Sequence, residues 1–260
     1  MKWGDVNYVD ATPDTIGEYG ICGYKNQKNK GFQLKLSWLR KRYNEGLRMK
    51  VLYSESDGTV GYIEYMPGEY AWRPINANGY LVIHCLFILK KKYKGKGFGM
   101  YMVKDCLKEA RESGRKGVAV VTSRDTWMAK KNLFLKNAFE LVEEAPPHYE
   151  LLAKRFDERS PLPSFTGNWE QKLKRYNKGL TILYSDQCPY LAKAIEEIPP
   201  MARELFGMEP KLIKLMDYSD VKNSPNPFGV FSIILNGELV ADHPISATRF
   251  GNIMIKKVKK

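Results

Sequence analysis

Between Lys90 and Gly99 the chain reads Lys-Lys-Lys-Tyr-Lys-Gly-Lys-Gly-Phe-Gly, five lysines and three glycines in ten residues. Glycine turns and the start of a helix expected near Met100 leave backbone N–H groups free, and such a cradle attracts an anion. A phosphate-bearing ligand suits that chemistry. Spacing excludes two familiar phosphate loops. G-x-G-x-x-G counted from Gly95 places Met100 where the third glycine belongs, and G-x-x-x-x-G-K-[ST] meets Met100 again.

The loop needs a strand before it and a helix after it. Tyr80 to Leu89 is apolar almost throughout and of strand length, as expected of a strand buried on both faces. Met102, Val103, Cys106, Leu107 and Ala110 then follow helical spacing to a cap at Gly114, and Val118 to Val121 reads as the next strand. Strand, loop, helix and strand make one crossover unit with its ligand at the carboxyl ends of the strands.

Upstream, Val6 to Asp10 reads as an opening strand, and Thr12-Pro13-Asp14 as a helix start. Phe32, Leu36, Leu39 and Tyr43 share a helical face closed by Gly46. Strands Met49 to Ser54 and Val60 to Tyr65 flank an Asp57-Gly58 turn. Met66 to Gly79, with Tyr70, Trp72 and Arg73, is a long aromatic insert expected to cover the acceptor side of a cleft. Downstream, Thr126 to Phe139 reads as a helix and Tyr149 to Ala153 as the last strand of this part.

Lys92-x-x-Gly95-x-Gly97-x-Gly99 resembles the R/Q-x-x-G-x-G/A signature of the GNAT superfamily of N-acetyltransferases, with lysine for the usual Arg or Gln. Leu133-Phe134-Leu135-Lys136-Asn137-Ala138-Phe139 resembles the family's L-Y-x-K-x-G-F, with Phe134 for tyrosine and Ala138 for glycine. The order of elements is also the family's. The resemblance covers residues 1–155 and implies an α/β (α+β) acyl-CoA transferase fold on a mixed, mostly antiparallel sheet. It also implies acetyl-CoA as co-substrate and transfer of its acetyl group to a primary amine by direct attack in a ternary complex.

On that resemblance, Phe87, Ile88 and Leu89 would pair with the pantetheine arm, while Lys92, Lys94, Gly95, Lys96, Gly97, Phe98 and Gly99 would hold the pyrophosphate. Phe134 stands where a tyrosine commonly protonates the departing thiolate, so Tyr149 is the substitute. Glu64, His84 and Asp125 lie near strand ends flanking the cleft; His84 titrates in the right range, and Glu64 is preferred as base, directly or through ordered water.

Pro161-Leu162-Pro163-Ser164 marks a linker, 156–166, before a second unit at 167–260. A helix from Asn168 carries Trp169, Leu173 and Tyr176. Strand Thr181 to Tyr184, a helix ending at Pro199-Pro200, strands Leu212 to Leu215 and Val230 to Leu235, and an Asn236-Gly237 hairpin to Leu239-Val240 follow. This βαβ then ββα order resembles the thioredoxin fold, Cys188-Pro189-Tyr190 resembles the glutaredoxin C-P-Y start, and a GNAT protein with such a tail resembles the YoaP-like group. Leu191 replaces the second cysteine and no proline stands near Val230-Phe231-Ser232, so a fold kept for binding is favoured. Cys188, ahead of a helix, remains a candidate redox or binding thiol with a lowered pKa.

Composition bounds the alternatives. The 260 residues, 43% of them hydrophobic, suffice for two packed units, and a net charge of +13 favours anionic partners. Cys22, Cys85, Cys106 and Cys188 lack C-x-x-C spacing, which argues against zinc and disulfides; Cys85 and Cys106 are expected as small apolar residues, and no metal is expected. With neither an apolar leader nor a run long enough to cross a bilayer, a cytoplasmic protein without membrane contact is expected. A catalytically silent CoA-binding module stays open because of Phe134. Nucleic-acid binding ranks last, since only charge and tyrosines support it. Acceptor identity and oligomeric state are not encoded in any motif.

Overall fold

A computed structural model describes residues 4–125 and 128–258. The first part comprises β1 (Val6–Ala11), α1 (Ile16–Tyr19), α2 (Lys30–Tyr43), β2 (Arg48–Ser54), β3 (Gly58–Pro67), β4 (Ile75–Asn76), β5 (Tyr80–Ile88), α3 (Phe98–Glu112), β6 (Gly117–Ser123), α4 (Lys131–Leu135), β7 (Glu140–Ala145) and β8 (Tyr149–Arg155). The remainder comprises β9 (Ser164–Phe165), α5 (Trp169–Leu173), β10 (Leu180–Tyr184), α6 (Leu191–Phe206), β11 (Lys211–Lys214), α7 (Tyr218–Lys222), β12 (Phe231–Leu235), β13 (Glu238–Ala241) and α8 (Ala247–Val258).

Seven strands form the larger sheet in the order β1-β2-β3-β5-β6-β8-β7. Only β5 and β6 run parallel, joined through α3, and every other neighbouring pair is antiparallel. This is the mixed, mostly antiparallel α/β sheet expected. One face packs on α3: Met102, Val103, Cys106 and Ala110 are buried with Ile63, Ile83, Val118 and Leu152. The opposite face packs on α2, and its core continues without a break from Phe32 and Trp72 into Leu191, Ile198, Ile233 and Phe250 of the C-terminal elements.

The smaller sheet has the order β11-β10-β12-β13, with β10 parallel to β11 and antiparallel to β12. Asn236 and Gly237 both have positive φ, 50° and 82°, as a two-residue hairpin turn requires. Glycine is also required at Gly31, where a Cβ would collide with the Pro189 carbonyl oxygen of the C-terminal part.

Several local expectations are corrected. The helix start assigned to Thr12-Pro13-Asp14 is a turn in which Thr12 and Thr15 bond each other, and α1 begins only at Ile16. The helix after the glycine loop begins at Phe98, two residues before Met100, because Gly97 in a left-handed conformation already caps it. Of the helix expected over Thr126 to Phe139, α4 occupies Lys131–Leu135; Thr126 and Trp127 lie outside the described residues, and Met128 to Lys130 are not helical. Ala138 closes that segment at φ 58°, the left-handed conformation that glycine most readily adopts. Strand β7 carries no alternating pattern strong enough to be read in advance.

α6 continues past Pro199 and Pro200, where the helix was expected to end, to its cap at Gly207. Two interior prolines cost a helix about 3 kcal/mol each. Burial of Leu191, Ala194, Ile198 and Ala202 on one face outweighs that local preference. The segment expected as a linker is tied down as well: β9 pairs with β4, Phe165 N–H donates to Glu143, and Tyr80 donates to the Pro161 carbonyl.

Candidate active site

The register of β5 and β6 ends at Ile83 opposite Val120, although β5 continues to Ile88 and β6 to Ser123. The two parallel strands diverge there. On its other side β5 stays paired with β3, but the register slips between Glu64 and Tyr65, so His84 is the extra residue of a β-bulge. Bulges sharpen strand twist and re-aim side chains. Here the bulge turns His84 inward at the point where the strands part.

A cavity of about 430 Å³ fills the gap. Its wall includes Ile83, His84, Cys85, Leu86, Phe87 and Leu89 from the diverging strand, and Tyr62 and Glu64 from β3. Gln187, Cys188, Tyr190, Phe228, His243 and Pro244 close it from the C-terminal part. The C-terminal part of the chain therefore walls the cavity. Arg73 of the aromatic insert also lines the cavity.

Glu64 lies at the centre of a buried polar group. Its Oε2 is ion-paired with Lys35, which is itself fully buried on α2, and its Oε1 accepts from Gln187 Nε2 at 2.9 Å. Lys35 Nζ also sits 4.0 Å from the Trp38 ring centre. Burial works against the carboxylate's charge, but the Lys35 charge and His84 overcome it and hold Glu64 at about 2. Glu64 is thus ionised and already committed to two partners, which removes the preference for it as base.

The Trp72 backbone N–H donates to His84 Nε2 at 3.0 Å, which places the ring proton on Nδ1. Nδ1 stands 3.4 Å from Glu64 Oε1 without hydrogen-bonding geometry. Burial, helped by the nearby Arg73 and Lys35 charges, lowers His84 to about 4 against the pull of Glu64. Its basic nitrogen is occupied as the acceptor of that bond, so His84 is a neutral ring without a free lone pair to take a proton.

Tyr149 is buried outside the cavity wall and donates to Asp242 Oδ2 at 3.0 Å, with burial raising its pKa. It is not placed to protonate a leaving group. Phe134 is fully buried, stacked edge-on to Phe139 with ring centres 5.5 Å apart, and is a core residue rather than a ligand contact. Asp125 is exposed and pairs with His148 at 3.3 Å. Cys188 lines the cavity, but burial pushes its thiol up to about 11, the reverse of the activation expected. Cys106 packs as an apolar residue as expected, whereas Cys85 is only half-buried and meets the Tyr62 hydroxyl at 3.5 Å.

Asp242 and His243 are the pair that sequence reasoning missed. His243 Nδ1 faces Asp242 Oδ1 at 2.5 Å, which makes Nε2 the basic nitrogen of a ring that lines the cavity. Burial opposes the Asp242 charge, but bonds from His243 and Tyr149 prevail and keep its pKa low. Adjacent Asp and His near the end of a strand were the available signal.

Beyond Leu89 a single turn of 3₁₀ helix spans Lys91–Tyr93, and Gly95 and Gly97 then adopt positive φ, 78° and 86°. A Cβ at either glycine would meet nothing within 4 Å, so conformation and not crowding selects them. The first intrahelical bond of α3 runs from Tyr101 N–H to Gly97 O, so the amides of Gly99 and Met100 precede it. Lys94 N–H bonds back to Lys91 O and leaves the expected set of anion donors. Lys92 is also reassigned: with Lys90 and Tyr93 it holds Asp57 of the β2–β3 turn, which braces the loop. Lys94 lies over the Phe87 ring at 5.6 Å, and Lys96 is exposed on the loop.

Among the described residues no group of three or more His, Cys, Asp or Glu side chains could hold a metal ion, and no helix is long and apolar enough to cross a membrane.

The chain is 28% identical over 252 residues to a Bacillus subtilis (strain 168) protein named "Uncharacterized N-acetyltransferase YoaP", covering 95% of this chain and 98% of that one. Similar solved structures include a GNAT-family acetyltransferase from Staphylococcus aureus Mu50, with 14% identity and a TM-score of 0.45 over 58% of this chain and 99% of that one. Another is the putative acetyltransferase yncA from Salmonella typhimurium with acetyl-CoA, with 16% identity and a TM-score of 0.45 over 61% and 98%. The family model described as YoaP-like matches residues 211–252. In agreement with the sequence motifs, the chain is similar along nearly its whole length to a named N-acetyltransferase and carries a YoaP-like C-terminal segment.

Proposed function

We propose that the protein transfers an acetyl group from acetyl-CoA to a primary amine by direct attack within a ternary complex. The observation that carries this reading is the parting of β5 from β6 directly ahead of the left-handed Gly95 and Gly97 and the open start of α3. Released from β6, the edge of β5 from His84 to Ile88 suits an extended amide-bearing arm, and the loop amides suit its diphosphate.

The roles of this chain's residues follow. The amides of Gly95, Lys96, Gly97 and Gly99 receive the diphosphate, with Lys96 adding charge. The β5 edge at Cys85 to Ile88 orients the thioester carbonyl towards the cavity. His243 Nε2, with Asp242 on the other ring nitrogen, takes a proton from the incoming ammonium. The neutral amine then attacks the carbonyl carbon. On collapse the C–S bond breaks, and the second amine proton passes to the thiolate sulfur. Residues 167–260 are read as a thioredoxin-like unit retained to wall the cavity, a reading supported by the β11-β10-β12-β13 order and by the raised Cys188 thiol.

The test is a thermal scan with acetyl-CoA, followed by thiol release across a panel of amines. A midpoint that rises with ligand excess and amine-dependent thiol release are expected. An unchanged midpoint would overturn the assignment.

A further inference from the structure

Arg73 is 3% exposed, lines the cavity, and has no carboxylate partner among the described residues. Its guanidinium lies over the Phe228 ring at 5.4 Å and hydrogen-bonds only to carbonyls: Nη1 donates to Trp72 O at 2.9 Å and Phe228 O at 3.4 Å, and Nη2 to His84 O at 2.8 Å. Of five N–H donors these contacts use three. Nε–H has no acceptor, and His84 Nδ1 is likewise buried without a hydrogen bond. Glu64, the carboxylate in the cavity wall, is already matched by Lys35, and Asp242 is matched by His243. A buried charge without a counter-ion is costly, so such a group ordinarily meets an anion. The rest of the wall is largely apolar, including Tyr62, Leu86, Leu89, Met128 and Phe228.

We propose that Arg73 is the receptor for a carboxylate on the acceptor, so that the substrate is an apolar amine bearing a carboxylate near its nitrogen, of which an α-amino acid with an apolar side chain is the simplest form. The planar guanidinium fork suits two carboxylate oxygens, and the apolar wall accepts the body of the molecule. Arg73 lies on the aromatic insert and is held by Phe228 O, so the acceptor pocket takes shape only when both parts of the chain are folded together.

This substrate class rests on the acetyl-transfer reading, and the two are separated by an assay that needs no turnover. N-acetyl-L-phenylalanine and N-acetylphenethylamine differ only in the carboxylate. The former is expected to raise the thermal midpoint of the full chain and the latter to leave it in place; equal shifts, or none with either, overturn the carboxylate site whatever acetyl-CoA does. In turnover with acetyl-CoA, L-phenylalanine is expected to exceed phenethylamine in kcat/KM by roughly a hundredfold, because the amine alone leaves buried donors unpaired. Equal rates overturn the proposal while leaving acetyl transfer intact. Arg73→Lys, which keeps the charge and loses the fork, is expected to reduce that preference at least about tenfold. A retained preference overturns the assignment to Arg73.

Discussion

Gln187 Nε2 donates to Glu64 Oε1 across the boundary between the two sheets, and Lys35 holds the other oxygen of the same carboxylate. One buried charge therefore ties α2, β3 and the loop after β10 together at the wall of the cavity. Removing either partner leaves a charge or an amide stranded in the interior.

Lys35→Met leaves Glu64 buried without its cation, and a loss of roughly 3–5 kcal/mol of stability is expected. Pairing it with Glu64→Gln restores most of that loss, because the double variant buries no net charge. Denaturant midpoints of the three variants check this, and a mild single variant would contradict it.

Acid should weaken the fold in two steps. His84, lowered to about 4 from 6.5, refuses a proton that the unfolded chain accepts, so stability is complete above pH 6.5 and declines from there towards pH 4. Glu64, held at about 2 against 4.5, contributes stability that is present above pH 4.5 and lost between pH 4.5 and 2. Urea midpoints measured against pH are expected to show both declines. His84→Gln should remove the upper one.

Gly97→Val should abolish stabilisation by acetyl-CoA. A side chain at φ 86° meets no neighbour but is strained at about 1–2 kcal/mol, and relief of that strain reorients the loop amides. The unliganded midpoint should fall by only a few degrees. At a hundredfold ligand excess over Kd the parent gains about 2.7 kcal/mol, and the variant should gain none.

His243→Gln should lower kcat about 10²–10⁴-fold while acetyl-CoA still shifts the midpoint. Asp242→Asn, which removes the charge facing Nδ1, should fall in the same direction by less. Tyr149→Phe, acting only through Asp242, should have the smallest effect. Rates at saturating acetyl-CoA rank the three.

Cys188, with its thiol at about 11, should alkylate at pH 8 at least about tenfold more slowly in the folded protein than in urea. A fast folded-state rate would restore the activated thiol that its position before α6 suggests.

The sequence by itself determined what depends on neighbours along the chain. A continuous apolar run and helical spacing located the strand and helix that flank the glycine- and lysine-rich loop, and Gly95 and Gly97 announced turns there, which the structure shows to be left-handed, a conformation few other residues adopt. The Asn236-Gly237 hairpin was legible for the same reason. What tertiary structure alone decided was which charges meet. Lys35 meets Glu64 only because α2 lies against β3, and Lys92 pairs with Asp57 because the β2–β3 turn brings that carboxylate to the loop. Glu64, His84 and Tyr149 were legible as titratable groups, but only packing gave them their partners Lys35, Trp72 and Asp242, while His243 and Arg73 reach the cavity from a distant hairpin and an insert. Local preference acts over a turn of chain, whereas electrostatics and desolvation depend on distances that only the packed fold defines.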